Sequence, residues 1–131
     1  MQKYKKYITK GISESLSKVP FHKKAPIKRI SMLSQNIVPE SKIHAAVHLV
    51  DATDKKISKY SKLHKHTADE VNIIISQSGK LVYEIQLDDE IYKVRSPVTI
   101  FIPKGVRHRA DVISGKGFFV CLILSNKYKT S

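Results

Sequence analysis

From residue 42 onward, apolar and polar side chains follow one another in short runs that predict β-strands. Residues 43–50 and 81–87 alternate with a period of two, and residues 69–76 and 98–102 are rich in Val and Ile. Every second side chain of a strand lies on one face, so these runs predict strands with a buried face. Turn residues recur roughly every 8–12 positions, and Gly115-Lys116-Gly117 predicts the turn of a final hairpin. The pattern predicts an all-β fold, an antiparallel β-sandwich or jelly-roll barrel.

The first 42 residues show a different pattern. Apolar residues recur every three or four positions from Tyr4 to Val19, and Pro20 follows. This spacing predicts a short amphipathic helix that packs on the barrel or on a second subunit. A Lys- and Ser-rich, acid-poor composition leaves a targeting presequence as the alternative. With a first strand expected at 27–33, we divide the chain into a basic N-terminal extension, residues 1–42, and a barrel, residues 43–131.

The chain of 131 residues has a net charge of +13, and residues 1–30 carry nine of its 24 Lys and Arg residues. A strongly basic surface can attract nucleic acid or an anionic surface. The sequence contains no nucleic-acid-binding motif and no apolar run as long as a membrane span. A source genome that favours Lys is the simpler explanation. We expect a cytoplasmic protein without a nucleic acid or membrane partner, and docking of the basic N-terminus on an acidic partner or nucleic acid is the alternative.

Candidate chemistry is concentrated in the segments His64-Lys65-His66-Thr67-Ala68-Asp69-Glu70 and Pro103-Lys104-Gly105-Val106-Arg107-His108. In a strand, His64 and His66 point to the same face, and Glu70 returns to that face after a short loop or further strand. His108 is expected from a distant strand that closes beside them. Imidazole and carboxylate without thiolate suit Fe, Mn, Ni, Zn or Cu. We predict one divalent metal ion per chain, bound by His64, His66, Glu70 and His108, with positions left open for substrate or water.

These two segments resemble the paired motifs of the cupin superfamily. The matching positions are His64, His66 and Glu70 in the first motif and Pro103, Gly105 and His108 in the second. Ser58 and Pro97 stand at glycine positions of the family motifs, Gly79 falls two residues late, and Val112 replaces an asparagine. The resemblance, to small single-domain RmlC-like cupins, covers residues 43–124 and keeps every ligand position. It implies a jelly-roll barrel with a mononuclear metal site. It does not imply one reaction, since cupins include oxygenases, isomerases, epimerases, lyases and binding proteins.

Several residues near the predicted ligands are candidates for contact with substrate. Asn72 shares strand parity with Glu70 and can face the same cavity, or else solvent. Tyr83 is a candidate catalytic phenol, although its apolar neighbours favour a place in the core. His44 and His48 share a strand face that we assign to the surface or a subunit interface, with the pocket mouth as the alternative. The only cysteine, Cys121, lies in an apolar run and is expected to be a buried structural thiol.

A group of three cations surrounds the second motif: Lys104, Arg107 and Arg109. Such charges are usually solvated, but cations at the mouth of a metal site also attract an anionic substrate. The leading hypothesis is a metal-dependent cupin enzyme of dioxygenase, isomerase or lyase type that acts on a small oxygenated or carboxylate-bearing compound. The alternative is a non-catalytic, metal-dependent ligand-binding or sensor protein. We also expect a homodimer whose interface uses residues from the N-terminal 30.

Overall fold

The computed structural model describes residues 2–131 and consists largely of antiparallel β-sheet. Its eight strands are β1 (Ile12–Glu14), β2 (Lys28–Leu33), β3 (His44–Ala52), β4 (Glu70–Ile75), β5 (Val82–Leu87), β6 (Glu90–Arg95), β7 (Val98–Ile102) and β8 (His108–Ile123). Two 3₁₀ turns, Lys5–Tyr7 and Leu16–Lys18, are the helical segments within residues 2–131. Neither turn is long or apolar enough to cross a bilayer.

The strands form a large sheet and a small sheet that share β8. The large sheet has the order β1-β2-β3-β8-β4-β7, and in the small sheet β5 pairs with both β6 and β8. Strand β8 passes from the small sheet into the large sheet at Gly115. There φ is +95°, and an added Cβ would lie 2.1 Å from the Lys80 carbonyl oxygen. Glycine alone tolerates this bend. The expected hairpin at Gly115-Lys116-Gly117 is therefore wrong, because one continuous strand bends there from one sheet into the other.

The predicted N-terminal helix is also wrong. The segment contains only the two 3₁₀ turns, and β1 pairs with β2 at the edge of the large sheet. Ile8 and Ile12 are 82% and 56% exposed, whereas Leu16 is buried. Most of the apolar residues between Tyr4 and Val19 thus have no surface within the chain to pack against. An isolated helix of this length is only marginally stable. Gly11 instead lies so close to β2 that an added Cβ would be 2.3 Å from Ile30 Cγ2.

The inward side chains divide the barrel interior into two ends. The apolar end is built from Ile74, Leu81, Tyr83, Ile85 and Val112, all buried. The polar end is built from His64, His66, Glu70, Asn72 and His108, which are also buried. Strands β1 and β2, from the N-terminal extension, continue the same large sheet, and the domain boundary at residue 42 stays a prediction.

Candidate metal centre

Two backbone hydrogen bonds between His64 and His108 help bring the candidate ligands to the polar end. His64 and His66 lie in an extended segment outside the named strands, where His64 forms an antiparallel bridge with His108. The His64 N–H donates to the His108 carbonyl at 3.0 Å, and the His108 N–H donates to the His64 carbonyl at 2.7 Å. Glu70 begins β4 as His108 begins β8. These contacts join the segment of residues 64–70 to the start of β8, which lies more than 35 residues further along the chain.

The three imidazoles converge on one point. Each of His64, His66 and His108 offers a ring nitrogen, and these atoms lie within 4.8 Å of one another. Glu70 Oε1 lies 3.1 Å from His66 Nε2 and 3.2 Å from His108 Nε2. The second carboxylate oxygen, Oε2, accepts a hydrogen bond of 2.8 Å from Asn72 Nδ2. The structure therefore brings all four predicted ligands together in one buried cluster.

The protonation of this cluster follows from its burial and its charges. Burial alone would raise the pKa of Glu70, but His108, His66 and Asn72 hold it well below its usual range. Burial lowers the pKa of His64 to about 4. For His108, burial also favours the neutral ring, but the Glu70 carboxylate and the Val106 carbonyl outweigh it and raise the pKa. The carboxylate is ionised and His64 is neutral at pH 7, and these are the forms that bind metal.

Unpartnered atoms at the centre of the cluster fit a metal ion. The contacts between Glu70 Oε1 and the imidazoles lack hydrogen-bond geometry, so Oε1 and His108 Nε2 are buried without a hydrogen-bond partner within residues 2–131. Buried polar atoms are almost always satisfied, so such atoms require a reason. Three imidazoles and one carboxylate are suitable donors for Fe, Mn, Ni, Zn or Cu. Three buried histidines that can hold a metal ion are thus present, and their donor set fits one.

A cavity of about 110 Å³ opens beside the cluster. Its wall includes all four candidate ligands and Asn72, together with apolar side chains such as Phe119 and Ile123. Several other lining residues were not predicted from the sequence, among them His22, Arg29, Tyr60, Tyr128 and Thr130. Tyr60 lies four residues before His64, whereas the others come from segments far from both motifs, so neither strand alternation nor motif spacing could have identified them.

Arg29 is the cation that lines this cavity. Its side chain is 8% exposed, and its Nε donates to Glu14 Oε1 at 2.6 Å. Its Nη1 lies 3.0 Å from His48 Nε2. Burial and the neighbouring Arg29 charge lower the pKa of His48 to about 3, so the neutral ring accepts this hydrogen bond. His48 therefore lies on the cavity wall rather than on the surface.

The other candidate residues lie in different places. Asn72 lines the cavity and contacts Glu70, whereas Tyr83 packs in the apolar end with its ring stacked on Phe119 at 5.0 Å. Cys121 also lines the cavity, and burial raises the pKa of its thiol. His44 is half-buried on β3 beside Tyr128.

The three predicted substrate-binding cations are absent from the residues that line the cavity. Arg109 pairs with Glu84 and Asp111 at 2.9 Å each, on the outside of the small sheet. Arg107 is exposed, with its Nε 3.9 Å from Asp88. Lys104 is exposed, and its backbone N–H donates to the Asp69 carboxylate. Any attraction of substrate by these three residues would have to act from outside the cavity.

Comparison with known proteins shows the same architecture in solved structures. The polyketide cyclase RemF from Streptomyces resistomycificus is 15% identical, covering 98% of this chain and 81% of that chain, with a TM-score of 0.61. KdgF from Halomonas sp. is 14% identical over 88% of this chain and 86% of that chain, with a TM-score of 0.57. An RmlC-like cupin from Shewanella frigidimarina is 17% identical over 77% of each chain, with a TM-score of 0.53.

No family model and no curated protein matches the sequence. At these identities, the structural likeness shows the fold alone. The sequence motifs had implied the same fold, and the two lines of evidence agree. This chain has the antiparallel barrel fold of the RmlC-like cupins.

Proposed function

We propose that this protein is a metal-dependent cupin enzyme that acts on a small oxygenated or carboxylate-bearing compound, and that it works in the cytoplasm. Each chain would hold one divalent ion through His64, His66, Glu70 and His108. The observation that carries the proposal is the convergence of the three imidazoles on the wall of a cavity, with Glu70 Oε1 at 3.1 and 3.2 Å from two of them. A bound ion would supply Lewis acidity or, if it is iron, dioxygen chemistry of the dioxygenase type.

The residues around the ligands have separate tasks in this proposal. The Asn72 amide holds one oxygen of Glu70, so it fixes the orientation of the carboxylate. Arg29 supplies positive charge at the cavity wall, which favours an anionic ligand. Glu14 partly balances that charge. Of the two candidate catalytic residues, Asn72 lines the cavity and Tyr83 does not, which supports Asn72 as the residue that contacts substrate.

The non-catalytic alternative is a sensor or binding protein with the same metal site. The description of RemF as a polyketide cyclase supports catalysis on this fold, whereas a cavity of only about 110 Å³ is also compatible with simple capture of a small ligand. Incubating the full chain, loaded with Fe(II), Mn(II) or Ni(II), with small α-hydroxy and α-keto acids separates the two. We expect turnover that requires the metal and is lost in His64→Ala. Binding without turnover supports the sensor or binding protein. If the loaded protein shows no binding and no turnover, both proposed functions are contradicted.

Homodimer formation remains part of the proposal, and one sheet face favours a second copy of this chain. Twelve outward side chains of β2, β3, β8, β4 and β7 form an apolar sheet face: Ile30, Leu33, Ala45, Val47, Leu49, Val71, Ile73, Ile75, Phe101, Phe118, Val120 and Leu122. The outward side chains of Lys28, Asp51 and Lys116 lie at one edge of this face. Phe118, Ile75 and Phe101 on it are 49%, 49% and 55% exposed. None of these twelve residues is charged, and at the edge Asp51 lies opposite Lys116, so two chains can meet at the apolar centre of the face with little repulsion.

The size of the apolar sheet face suits a two-fold dimer. Five strands about 4.8 Å apart, with three rows of side chains about 7 Å apart, give a footprint on the order of 500 Å². Each partner in a stable interface contributes roughly 600–1,000 Å². The exposed N-terminal residues Tyr4, Ile8 and Ile12, on the arm that leads into β1 beside β2, can supply the remainder.

Sedimentation of the full chain at tens of micromolar tests the dimer. We expect a dimer for the wild type, a monomer for Phe118→Lys and weaker association after deletion of residues 1–19. Ile91→Lys is the matched control, because Ile91 is 58% exposed on the opposite, small sheet. A monomeric wild type, or equal effects of the two Lys substitutions, contradicts this interface.

A further inference from the structure

The three imidazoles differ in what holds their second ring nitrogen. His64 Nδ1 lies 2.6 Å from the Lys62 carbonyl oxygen, and His108 Nδ1 lies 3.0 Å from the Val106 carbonyl oxygen. A carbonyl oxygen can only accept, so both Nδ1 atoms carry a proton, and in the neutral ring, the form that binds metal, each Nε2 offers its lone pair. Each of these carbonyls lies two residues before its histidine and belongs to the same loop. No side-chain substitution removes them.

His66 is held differently. Its Nδ1 lies 2.8 Å from the hydroxyl oxygen of Thr130, a residue 64 positions along the chain. His66 is 8% exposed, so bulk water has little access to replace that partner. Its Nε2 faces Glu70 Oε1 at 3.1 Å. The orientation of this one candidate ligand therefore depends on a remote side chain.

A backbone ladder brings Thr130 to this position. Lys65 and Ser131 exchange both backbone hydrogen bonds, at 2.9 and 3.0 Å, and the Thr67 N–H donates to the Lys129 carbonyl at 3.0 Å. The Thr67 hydroxyl accepts a hydrogen bond of 2.8 Å from the Lys129 N–H. Residues 129–131 thus stay paired with residues 65–67 whatever side chain stands at 130.

The residue before this ladder adds a second contact. Tyr128 lines the cavity, and its ring meets the His66 ring edge-on, with centroids 5.4 Å apart and planes at 84°. The ring of His66 is therefore confined by Tyr128 on one side and by the Thr130 hydroxyl at Nδ1. Packing limits where the ring can lie, but it does not decide which nitrogen carries the proton.

We propose that Thr130 is a positioning residue for the metal centre, whose hydroxyl accepts the His66 Nδ1–H and so keeps Nε2 unprotonated and directed at the ligand cluster. The inference rests on the proposed metal-binding function. Hydrogen-bond partners of metal-binding histidines set the tautomer and the ring orientation, and their removal typically weakens metal affinity about 10- to 100-fold. Two of the three candidate ligand histidines are protected from that loss by their own backbone, and His66 is not.

Titration of the metal-free full chain with Co(II), followed by calorimetry and by the visible spectrum, tests the inference. Thr130→Val keeps the side-chain shape and removes the hydroxyl, and we expect Co(II) affinity to fall about 10- to 100-fold. Thr130→Ser restores a hydroxyl and should bind within a few-fold of the wild type. Thr67→Val is the matched control, because it removes a hydroxyl that holds the same backbone ladder but does not contact an imidazole. We expect it to bind Co(II) nearly as the wild type does.

A spectrum of the Zn(II)-loaded protein provides a second readout. Long-range ¹H–¹⁵N correlation should show the His66 proton on Nδ1 in the wild type and Thr130→Ser, and a mixed or reversed tautomer in Thr130→Val. Equal Co(II) affinity and equal tautomer in the wild type and Thr130→Val would overturn the positioning role alone. An equal loss of affinity in Thr67→Val would assign the effect to the ladder and overturn it too. A wild type that takes up no Co(II) would contradict the metal-binding function itself.

Discussion

Along β4, the successive inward residues Glu70, Asn72 and Ile74 are 5%, 1% and 0% exposed. All three are equally removed from water, yet the first two belong to the polar end of the barrel and the third to the apolar end. Burial of an apolar side chain is favourable, whereas burial of a polar group costs free energy unless it finds a partner. The apolar end therefore supplies stability, and the polar end uses part of it to hold the candidate ligands in place.

Unpartnered atoms sharpen the contrast between the two ends. At the polar end, Glu70 Oε1 and His108 Nε2 lack a hydrogen-bond partner within residues 2–131. At the apolar end, the Tyr83 hydroxyl is the polar atom in the same condition. Two adjacent orphan atoms among three imidazoles have a common explanation in a bound cation, whereas the Tyr83 hydroxyl lies near the buried Tyr60 phenol and, within residues 2–131, has no such cluster of metal-binding groups around it. The comparison assigns function to one end of the interior and stability to the other.

The largest effect on stability is expected at the apolar end. Ile74→Ala removes a fully buried side chain and should lower the free energy of unfolding by about 2–5 kcal/mol, as cavity-forming substitutions in cores do. Ile91→Ala, at a position 58% exposed on β6, should change it by about 0.5 kcal/mol or less. Urea denaturation of the metal-free protein measures both. Equal losses would contradict the assignment of stability to this end.

A smaller effect is expected when the pH falls. The pKa of His48 is about 3 in the folded protein against 6.5 for an unperturbed imidazole, since burial and Arg29 oppose its protonation. Below pH 6.5 the unfolded chain therefore takes up a proton that the folded chain does not, and stability decreases until the pH approaches 3. For His48 alone the loss at pH 5 is about 2 kcal/mol.

Urea denaturation between pH 7 and pH 5 measures this loss. His48→Gln keeps a hydrogen-bond acceptor for Arg29 but cannot be protonated, so its stability should depend less steeply on pH. Other buried histidines, such as His64 with its lowered pKa, contribute to the slope in both proteins. Identical slopes for the wild type and His48→Gln would show that His48 has no part in it.

Tyr83→Phe should have the smallest effect. The substitution removes a buried hydroxyl that lacks a hydrogen-bond partner, so we expect stability within about 1 kcal/mol of the wild type, or slightly above it. Metal binding and any turnover should not change, because Tyr83 does not line the cavity. A loss of turnover with unchanged stability would instead support the catalytic phenol that the sequence had left open.

Local patterns predicted the fold well where strands alternate or carry β-branched runs. The predicted strand at 98–102 coincides with β7, and the one at 27–33 lies within a residue of β2. The helix predicted from Tyr4 to Val19 does not form, because its spacing is helical but one chain offers no surface that would bury most of its apolar residues. The hairpin at Gly115-Lys116-Gly117 failed because glycines that permit a turn equally permit a strand to bend between sheets.

The candidate site was predictable only in part. The spacing of the two sequence motifs was enough to predict that four candidate ligands lie near one another: His64, His66, Glu70 and His108. Arg29 and Thr130 reach the same cavity through strand pairing and a backbone ladder that link distant segments. Tertiary pairing of this kind leaves no local signal, so the residues that surround the ligands became visible only in the folded chain.

The central claim is that the polar end binds one divalent metal ion per chain. Metal analysis of protein purified without chelator or a nickel column, followed by titration with Mn(II), Fe(II) and Co(II), tests it most directly. We expect one equivalent for the wild type, a metal-dependent rise in melting temperature, and loss of both in His64→Ala and His108→Ala. If those two variants bind metal at the wild-type stoichiometry, or if the wild type binds none, the claim is contradicted.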